Sequence, residues 1–122
     1  EAFDIIQKQP VFGVGFNAYR YAKDKYGIKQ GWNLLPSHAD AGVDNSFLFV
    51  MATTGVVGLG VYLFLWYRIL ASQLTLARSK NISAIVFVSA LAGLFVNAFF
   101  INSLFFPLIM LWMWIVLGLQ ED

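Results

Sequence analysis

The stretch SFLFVMATTGVVGLGVYLFLWY, residues 46–67, contains no charged residue. As an α-helix it would be about 33 Å long, enough to cross a hydrocarbon core of about 30 Å. Asp44, Asn45 and Ser46 stand at its start, and Arg68 follows its end. The pattern predicts a membrane-spanning helix whose first turn emerges beside a polar segment, and we expect any chemistry at that junction.

The composition also favours a membrane protein. Hydrophobic residues make up 59% of the chain, whereas soluble domains usually contain about 45–50%. The excess lies in residues 46–119, and residues 1–45 are polar. We therefore predict an all-α membrane protein, a fragment of a polytopic helical bundle with three transmembrane helices. An extracytoplasmic segment of short helices and loops would cover 1–45, and the transmembrane region 46–122.

The start of the chain and its charge add further expectations. The sequence begins at Glu1 without methionine or a signal-peptide pattern, so we expect a piece of a longer polytopic protein. A formal net charge of +1 does not indicate a nucleic-acid partner. Cysteine is absent and histidine occurs once, so neither a metal site nor a cofactor is predicted.

Two further spans are predicted after the first. Residues 82–101 would form a second span of about 30 Å, and residues 104–119 a third of about 24 Å. Pro107 falls in the first turn of the third span, where a missing N–H costs least. In this arrangement Trp112 and Trp114 lie toward the cytoplasmic interface, at the level predicted for Trp66.

Residues 68–81 are predicted to be a short basic loop between the first two spans, because they contain no acid and three bases: Arg68, Arg78 and Lys80. The excess of positive charge in short cytoplasmic loops places this one in the cytoplasm. Residues 1–45 are then extracytoplasmic.

Small and polar residues within the spans predict contacts between helices. In the first span glycines are expected to let another helix approach closely: Gly55, Gly58 and Gly60. In the second span three residues share one face that should meet another helix: Ser89, Gly93 and Asn97.

The N-terminal segment begins with a helical pattern over 1–9, which Pro10 ends. Gly13 and Gly15 follow in VFGVGF and predict a structural turn. A dinucleotide-binding loop is not supported, because no third glycine has the required spacing and no strand precedes the turn.

Residues 17–31 are polar and basic, with a short helix predicted to end near Gly27. Arg20 and Lys23 alternate with tyrosines such as Tyr21, and cations with aromatic rings suit phosphate and sugar. A solvated helix beside lipid headgroups explains the same pattern equally well.

Residues 31–45 have the composition of a loop. This loop carries His38, whose ordinary pKa would suit a general base. Asp44, Asn45 or Ser46 can cap the first span, and the same helix N-terminus attracts anions.

Two stretches, PVFGVGFNAY and SHADAGVDNSFLFVMATTGVVGL, together resemble the C-terminal half of the bacterial O-antigen ligase and O-antigen polymerase family. That family is similar in having P-x-x-G-x-G, then a polar external segment, then H/D-N-S-x-L-x-x-x-x-x-x-G-x-x-G. The matching positions are Pro10, Gly13, Gly15, Asp44, Asn45, Ser46, Leu48, Gly55 and Gly58.

The resemblance implies a multi-pass enzyme of the bacterial inner membrane that works without metal. It would move a glycan from undecaprenyl diphosphate to an acceptor hydroxyl, with inversion at the sugar carbon. The partners implied are that lipid-linked glycan, membrane lipid, the rest of the parent polytopic chain and glycan-assembly proteins.

The resemblance also suggests roles for individual residues. Asp44 stands where ligases often have histidine, which favours a polysaccharide polymerase over a lipid A core ligase. Asp44 and His38 are the two candidates for the catalytic base. Substrate binding is expected from Arg20, Lys23, Tyr21 and Asn45, with Arg20 on the diphosphate. The family's more recognisable arginine belongs upstream of Glu1, so the fragment alone should be inactive.

Two other functions remain open. A transporter or lipid-linked glycan flippase would require polar groups deep inside the spans, and here the spans carry no ionisable residue. A membrane scaffold would depend on the helix contact faces and not on the loop.

Overall fold

The computed structural model describes residues 2–27 and 43–119, and all regular secondary structure within these ranges is helical. There are five α-helices: α1 Ala2–Lys8, α2 Tyr19–Lys25, α3 Ser46–Arg78, α4 Ile82–Ala98 and α5 Pro107–Gly118. A short 3₁₀ turn, Ser103–Phe105, precedes α5. The all-helical prediction is thus confirmed for the described ranges.

The two short N-terminal helices match the sequence pattern. α1 ends at Lys8, two residues before Pro10, and buries Ile5 and Ile6. α2 ends at Lys25, and Gly27 follows with a φ of 65°. Proline and glycine therefore mark these helix ends as expected.

The prediction of a basic loop over 68–81 is wrong, because α3 continues through Arg68 to Arg78. Residues 69–77 contain no glycine or proline, so the helix has no local reason to end at an arginine. The connection to α4 is short and centres on Lys80, whose φ is 64°.

α3, α4 and α5 pack together around an apolar core, Trp66, Phe87, Leu91, Ala98, Leu104 and Met113. The ring of Trp66 stacks on that of Trp114 with a centroid distance of 6.2 Å. These two residues are therefore neighbours in the bundle, whereas their place at the cytoplasmic interface stays a prediction. Pro107 occupies the first turn of α5, as expected.

One helix in the described ranges, α3, is long and apolar enough to cross a membrane, judged by length and composition. α4 and α5 are also apolar but have 17 and 12 residues. The polar face predicted to meet another helix is exposed along the described part of α4: Ser89, Gly93 and Asn97.

α1 and α2 pack against the first part of α3 and not apart from it. A second apolar cluster joins the three helices: Ile5, Ile6, Tyr19, Ala22 and Ala52. Val43, just before α3, also contacts this cluster. Helices α1 and α2 therefore cover one side of the first turns of α3.

Candidate functional site: an interrupted helix and the loop that completes it

α3 is interrupted at Gly55, where φ is 69° and ψ is −170°. In a continuous helix the Val56 N–H would bond the Ala52 carbonyl, and the Val57 N–H the Thr53 carbonyl. Both bonds are replaced here. These two carbonyls and two N–H groups therefore need other partners.

The loop between α1 and α2, residues 10–15, supplies those partners through its backbone. The Val14 and Gly15 N–H groups donate to the carbonyls of Ala52 and Thr53, at 3.0 and 2.8 Å. The N–H groups of Val56 and Val57 donate to the carbonyls of Pro10 and Val11, at 2.9 and 3.3 Å. The loop thus lies between the two halves of α3 and satisfies these four backbone groups.

Two glycines allow the backbones to approach this closely. A Cβ on Gly13 would overlap backbone atoms of Thr53 and Thr54, and a Cβ on Gly55 would overlap the backbone of Val11. Gly13 has a φ of 64° and Gly55 a φ of 69°, which glycine adopts without strain. The two glycine motifs therefore form one structural joint.

The expectation that glycines open α3 to another helix does not describe this joint, because a loop approaches instead. Gly55 breaks the helix. A Cβ on Gly58 would overlap the side chain of Thr54 in the same helix, and Gly60 has no described neighbour within 4 Å of a Cβ.

The N-terminus of α3 is capped by Asn45. Its Oδ1 accepts from the N–H groups of Phe47 and Leu48, each at 2.9 Å, and its Nδ2 donates to the carbonyl of Phe99 at 2.8 Å. The amide thus caps α3 and ties it to the end of α4. The predicted role of Asn45 in substrate binding would compete with these bonds.

Ser46 makes a second tie that sequence analysis missed. Its Oγ accepts from the N–H of Leu104 at 3.2 Å and lies 3.4 Å from the carbonyl oxygen of Ile101. Ser46 is fully buried. The sequence suggests Ser46 only as a capping candidate. No local signal indicates that its side chain contacts a turn more than fifty residues away in sequence.

Asp44 lies immediately before this cap and is exposed. Its carboxylate therefore stands at the open end of α3, where the helix dipole favours negative charge. His38, the other candidate base, lies outside the described residues, so the structure does not bear on its distance from Asp44.

The three substrate-binding candidates on α2 have different environments. Arg20 is half-buried, its Cζ is 4.9 Å from the ring centroid of Tyr21, and its Nε has no hydrogen-bond partner within the described ranges. Tyr21 is exposed. Lys23 is buried, with its Nζ 5.4 Å from the ring centroid of Tyr19. Tyr21 is therefore accessible to a ligand and Arg20 is partly accessible, while Lys23 faces protein.

A cleft of about 360 Å³ lies beside the joint, between the end of α1, the glycine loop and α2. Its polar lining comes mainly from Gln9, Tyr21, Lys25 and Tyr26. Lys25 was not among the predicted site residues, although the alternation of bases and tyrosines extends to it. No group of three or more histidine or acidic side chains that could hold a metal occurs within the described ranges.

Replacing Asn45 with alanine is expected to destabilise the protein by about 1–2 kcal/mol, since it removes the cap of α3 and the bond to Phe99. Asn45→Asp keeps the cap and loses the donor, so we expect roughly half of that loss. Thermal unfolding of the three proteins in detergent measures both. Equal stability of Asn45→Ala and the unmodified protein would contradict the capping role.

Comparison of the chain with protein-family models, with curated proteins and with solved structures gave no match.

Proposed function

We propose that this chain is part of a multi-pass glycosyltransferase of the bacterial inner membrane, of the O-antigen polymerase or ligase type. Its substrate would be an oligosaccharide linked to undecaprenyl diphosphate. One observation carries the proposal. The two stretches on which the family resemblance depends, around Gly13 and around Gly55, complete each other's hydrogen bonds in the fold. A local resemblance arising by chance would not require such a contact.

In this proposal α3, α4 and α5 all span the membrane, and residues 1–45 lie on the extracytoplasmic side. α5 gains length from the 3₁₀ turn before it. The outer surfaces of α4 and α5 carry exposed large apolar side chains, among them Val96, Leu108 and Trp112, which suit lipid or neighbouring helices. The exposed face with Asn97 is where the rest of the parent chain would pack.

The reaction would take place where α2 and the start of α3 meet. The acceptor hydroxyl attacks the anomeric carbon, the bond from that carbon to the diphosphate oxygen breaks, and undecaprenyl diphosphate leaves. The hydroxyl proton passes to a base, Asp44 or His38. Arg20, whose guanidinium stacks near Tyr21, would bind the departing diphosphate.

The experiment is mutagenesis of the full-length protein, with glycan chain length read on gels. Loss of the base should lower turnover about 10²–10⁴-fold, so Asp44→Ala or His38→Ala should abolish the ladder of long glycans. Asp44→Asn removes the negative charge and keeps the size of the side chain, so it distinguishes the effect of charge from the effect of size. Normal ladders from all three variants, at normal expression, would remove the catalytic assignment.

The diphosphate role has a matched cation control. Arg20→Ala should abolish long glycans, whereas Lys8→Ala, which removes an exposed cation at the end of α1, should leave them intact. Equal losses in the two variants would indicate a general electrostatic effect, and intact ladders in both would exclude Arg20 from the site.

A transporter or lipid-linked glycan flippase is the second candidate, and the interrupted helix favours it. Transporters often coordinate ions with the backbone of broken helices. Here the loop already bonds the carbonyls of Ala52 and Thr53, so these acceptors are occupied. Flux of lipid-linked glycan in proteoliposomes, together with normal polymer length in the Asp44 and His38 variants, would support this second function.

A further inference from the structure

Large apolar side chains around the joint are exposed. The exposed fractions are 51% for Val11, 75% for Phe12 and 61% for Phe16. On α3 the residues just after the interruption, Val56 and Val57, are also exposed. A polar extracytoplasmic surface would not be expected to present these side chains side by side.

The length of α3 fixes the depth of the joint, provided that α3 spans the membrane as proposed above. From Val56 to Tyr67 the helix extends about 18 Å, too little for a hydrocarbon core of about 30 Å. If Arg68 is to stay at the interface, the span must include Ser46–Thr54, which adds about 13 Å. The interruption at Gly55 then lies inside the bilayer, and the loop bonded to it lies at the same depth.

The part of the loop that contacts α3 meets one condition for such a position. Irregular backbone is tolerated at membrane depth only where its polar groups are satisfied. The loop N–H groups of Val14 and Gly15 and the carbonyls of Pro10 and Val11 are all bonded to α3. The charge nearest in sequence, Lys8, is exposed and has a side chain long enough to reach the headgroups.

We propose that Val11, Phe12 and Phe16 insert between the acyl chains of the leaflet in which α3 begins. This membrane anchor lies within the segment otherwise assigned to the extracytoplasmic side. Because α2 starts only three residues after Phe16, the anchor keeps Arg20 and Lys25 on the membrane-surface side of the loop. The diphosphate of a lipid-linked substrate would lie on that same side.

Fluorescence quenching in vesicles of phosphatidylethanolamine and phosphatidylglycerol tests this placement. The printed sequence has no cysteine, so Phe12→Cys in the full-length protein, with any other cysteines replaced, can carry a single bimane label. Val61→Cys, at an exposed site on α3, reports the lipid phase, and Lys25→Cys reports the water side. Val11→Cys repeats the measurement if Phe12→Cys folds poorly.

We expect the label at position 12 to be quenched by brominated lipid as strongly as the label at 61, with loss of the iodide quenching seen at 25. Iodide quenching at 12 with lipid quenching at 61 would overturn the anchor and leave the spanning helix intact. Quenching by neither agent at 12 would show that another protein segment covers Phe12, and would also overturn it. Iodide quenching at 61 would reject the anchor together with the proposed membrane arrangement.

Discussion

Gly55→Ala should detach the N-terminal segment from α3. At φ 69° and ψ −170° the backbone of residue 55 occupies a region essentially restricted to glycine. An added Cβ would also overlap the carbonyl of Val11, which is backbone and cannot move aside by changing rotamer. We expect a loss of about 3 kcal/mol or more in the free energy that holds the loop on α3.

Helix α3 can relieve this strain by rearranging its own hydrogen bonds, and the variant should therefore show a specific combination of changes. With alanine at 55, α3 can form a continuous helix in which Val56 and Val57 bond Ala52 and Thr53. Helix content by circular dichroism should therefore stay nearly constant. Amide hydrogen exchange at Val14 and Gly15 should become fast, because these groups lose their acceptors.

Gly60→Ala is the matched control on the same helix. Gly60 has helical geometry, and a Cβ there meets no described atom within 4 Å. Alanine should therefore stabilise α3 by about 0.5–1 kcal/mol. If Gly55→Ala leaves exchange at Val14 and Gly15 as slow as Gly60→Ala does, the interruption is not held in the way described here.

Local sequence signals were sufficient for most helix ends. Pro10, Gly27 and Pro107 act on their own backbone neighbourhood, so their effects can be read from the sequence. The sequence also limits the choice of N-cap residue for α3 to three neighbouring residues, and the structure shows that Asn45 is the cap. The predicted loop after Arg68 is wrong because a positive charge does not end a helix. Arginine favours helix about as much as leucine does.

The interruption of α3 could not be found from local signals. Residues 46–67 are uncharged throughout, and none of the three glycines in this run by itself excludes a continuous helix. The cause of the break is a loop some forty residues earlier in sequence, and periodicity contains no information about such a partner. The family resemblance placed both glycine motifs in one pattern but gave no reason for their pairing.

In the candidate site, too, some features follow from the local sequence and others depend on contacts between distant residues. The exposure of Arg20 and Tyr21 and the burial of Lys23 depend on which face of α2 packs against α3. That face is set by Tyr19 and Ala22, which enter the apolar cluster with Ala52. Residue type alone suggests that all three side chains on α2 can bind phosphate or sugar, and packing distinguishes them.

Gly13→Ala is expected to have an effect comparable to that of Gly55→Ala, from the opposite side of the joint. Gly27 provides an unusually close control, since its φ of 65° nearly equals the 64° of Gly13. A Cβ on Gly27 meets no described atom within 4 Å, whereas a Cβ on Gly13 would overlap backbone atoms of Thr53 and Thr54. Comparing alanine variants at these two glycines separates the free-energy cost of a left-handed backbone from the cost of losing the contact between the loop and α3.

Gly27→Ala should therefore cost only the backbone term, about 1 kcal/mol. Gly13→Ala should cost about 3 kcal/mol, because the overlap with α3 is added to it. Unfolding in mixed micelles with increasing dodecyl sulfate measures both variants against the unmodified protein. Equal losses would mean that the backbone conformation alone requires glycine at 13, and that the approach of the loop to α3 contributes nothing to stability. A larger loss at 13, with faster amide exchange at Val56 and Val57, would show that the two halves of α3 depend on this loop for their shared hydrogen bonds.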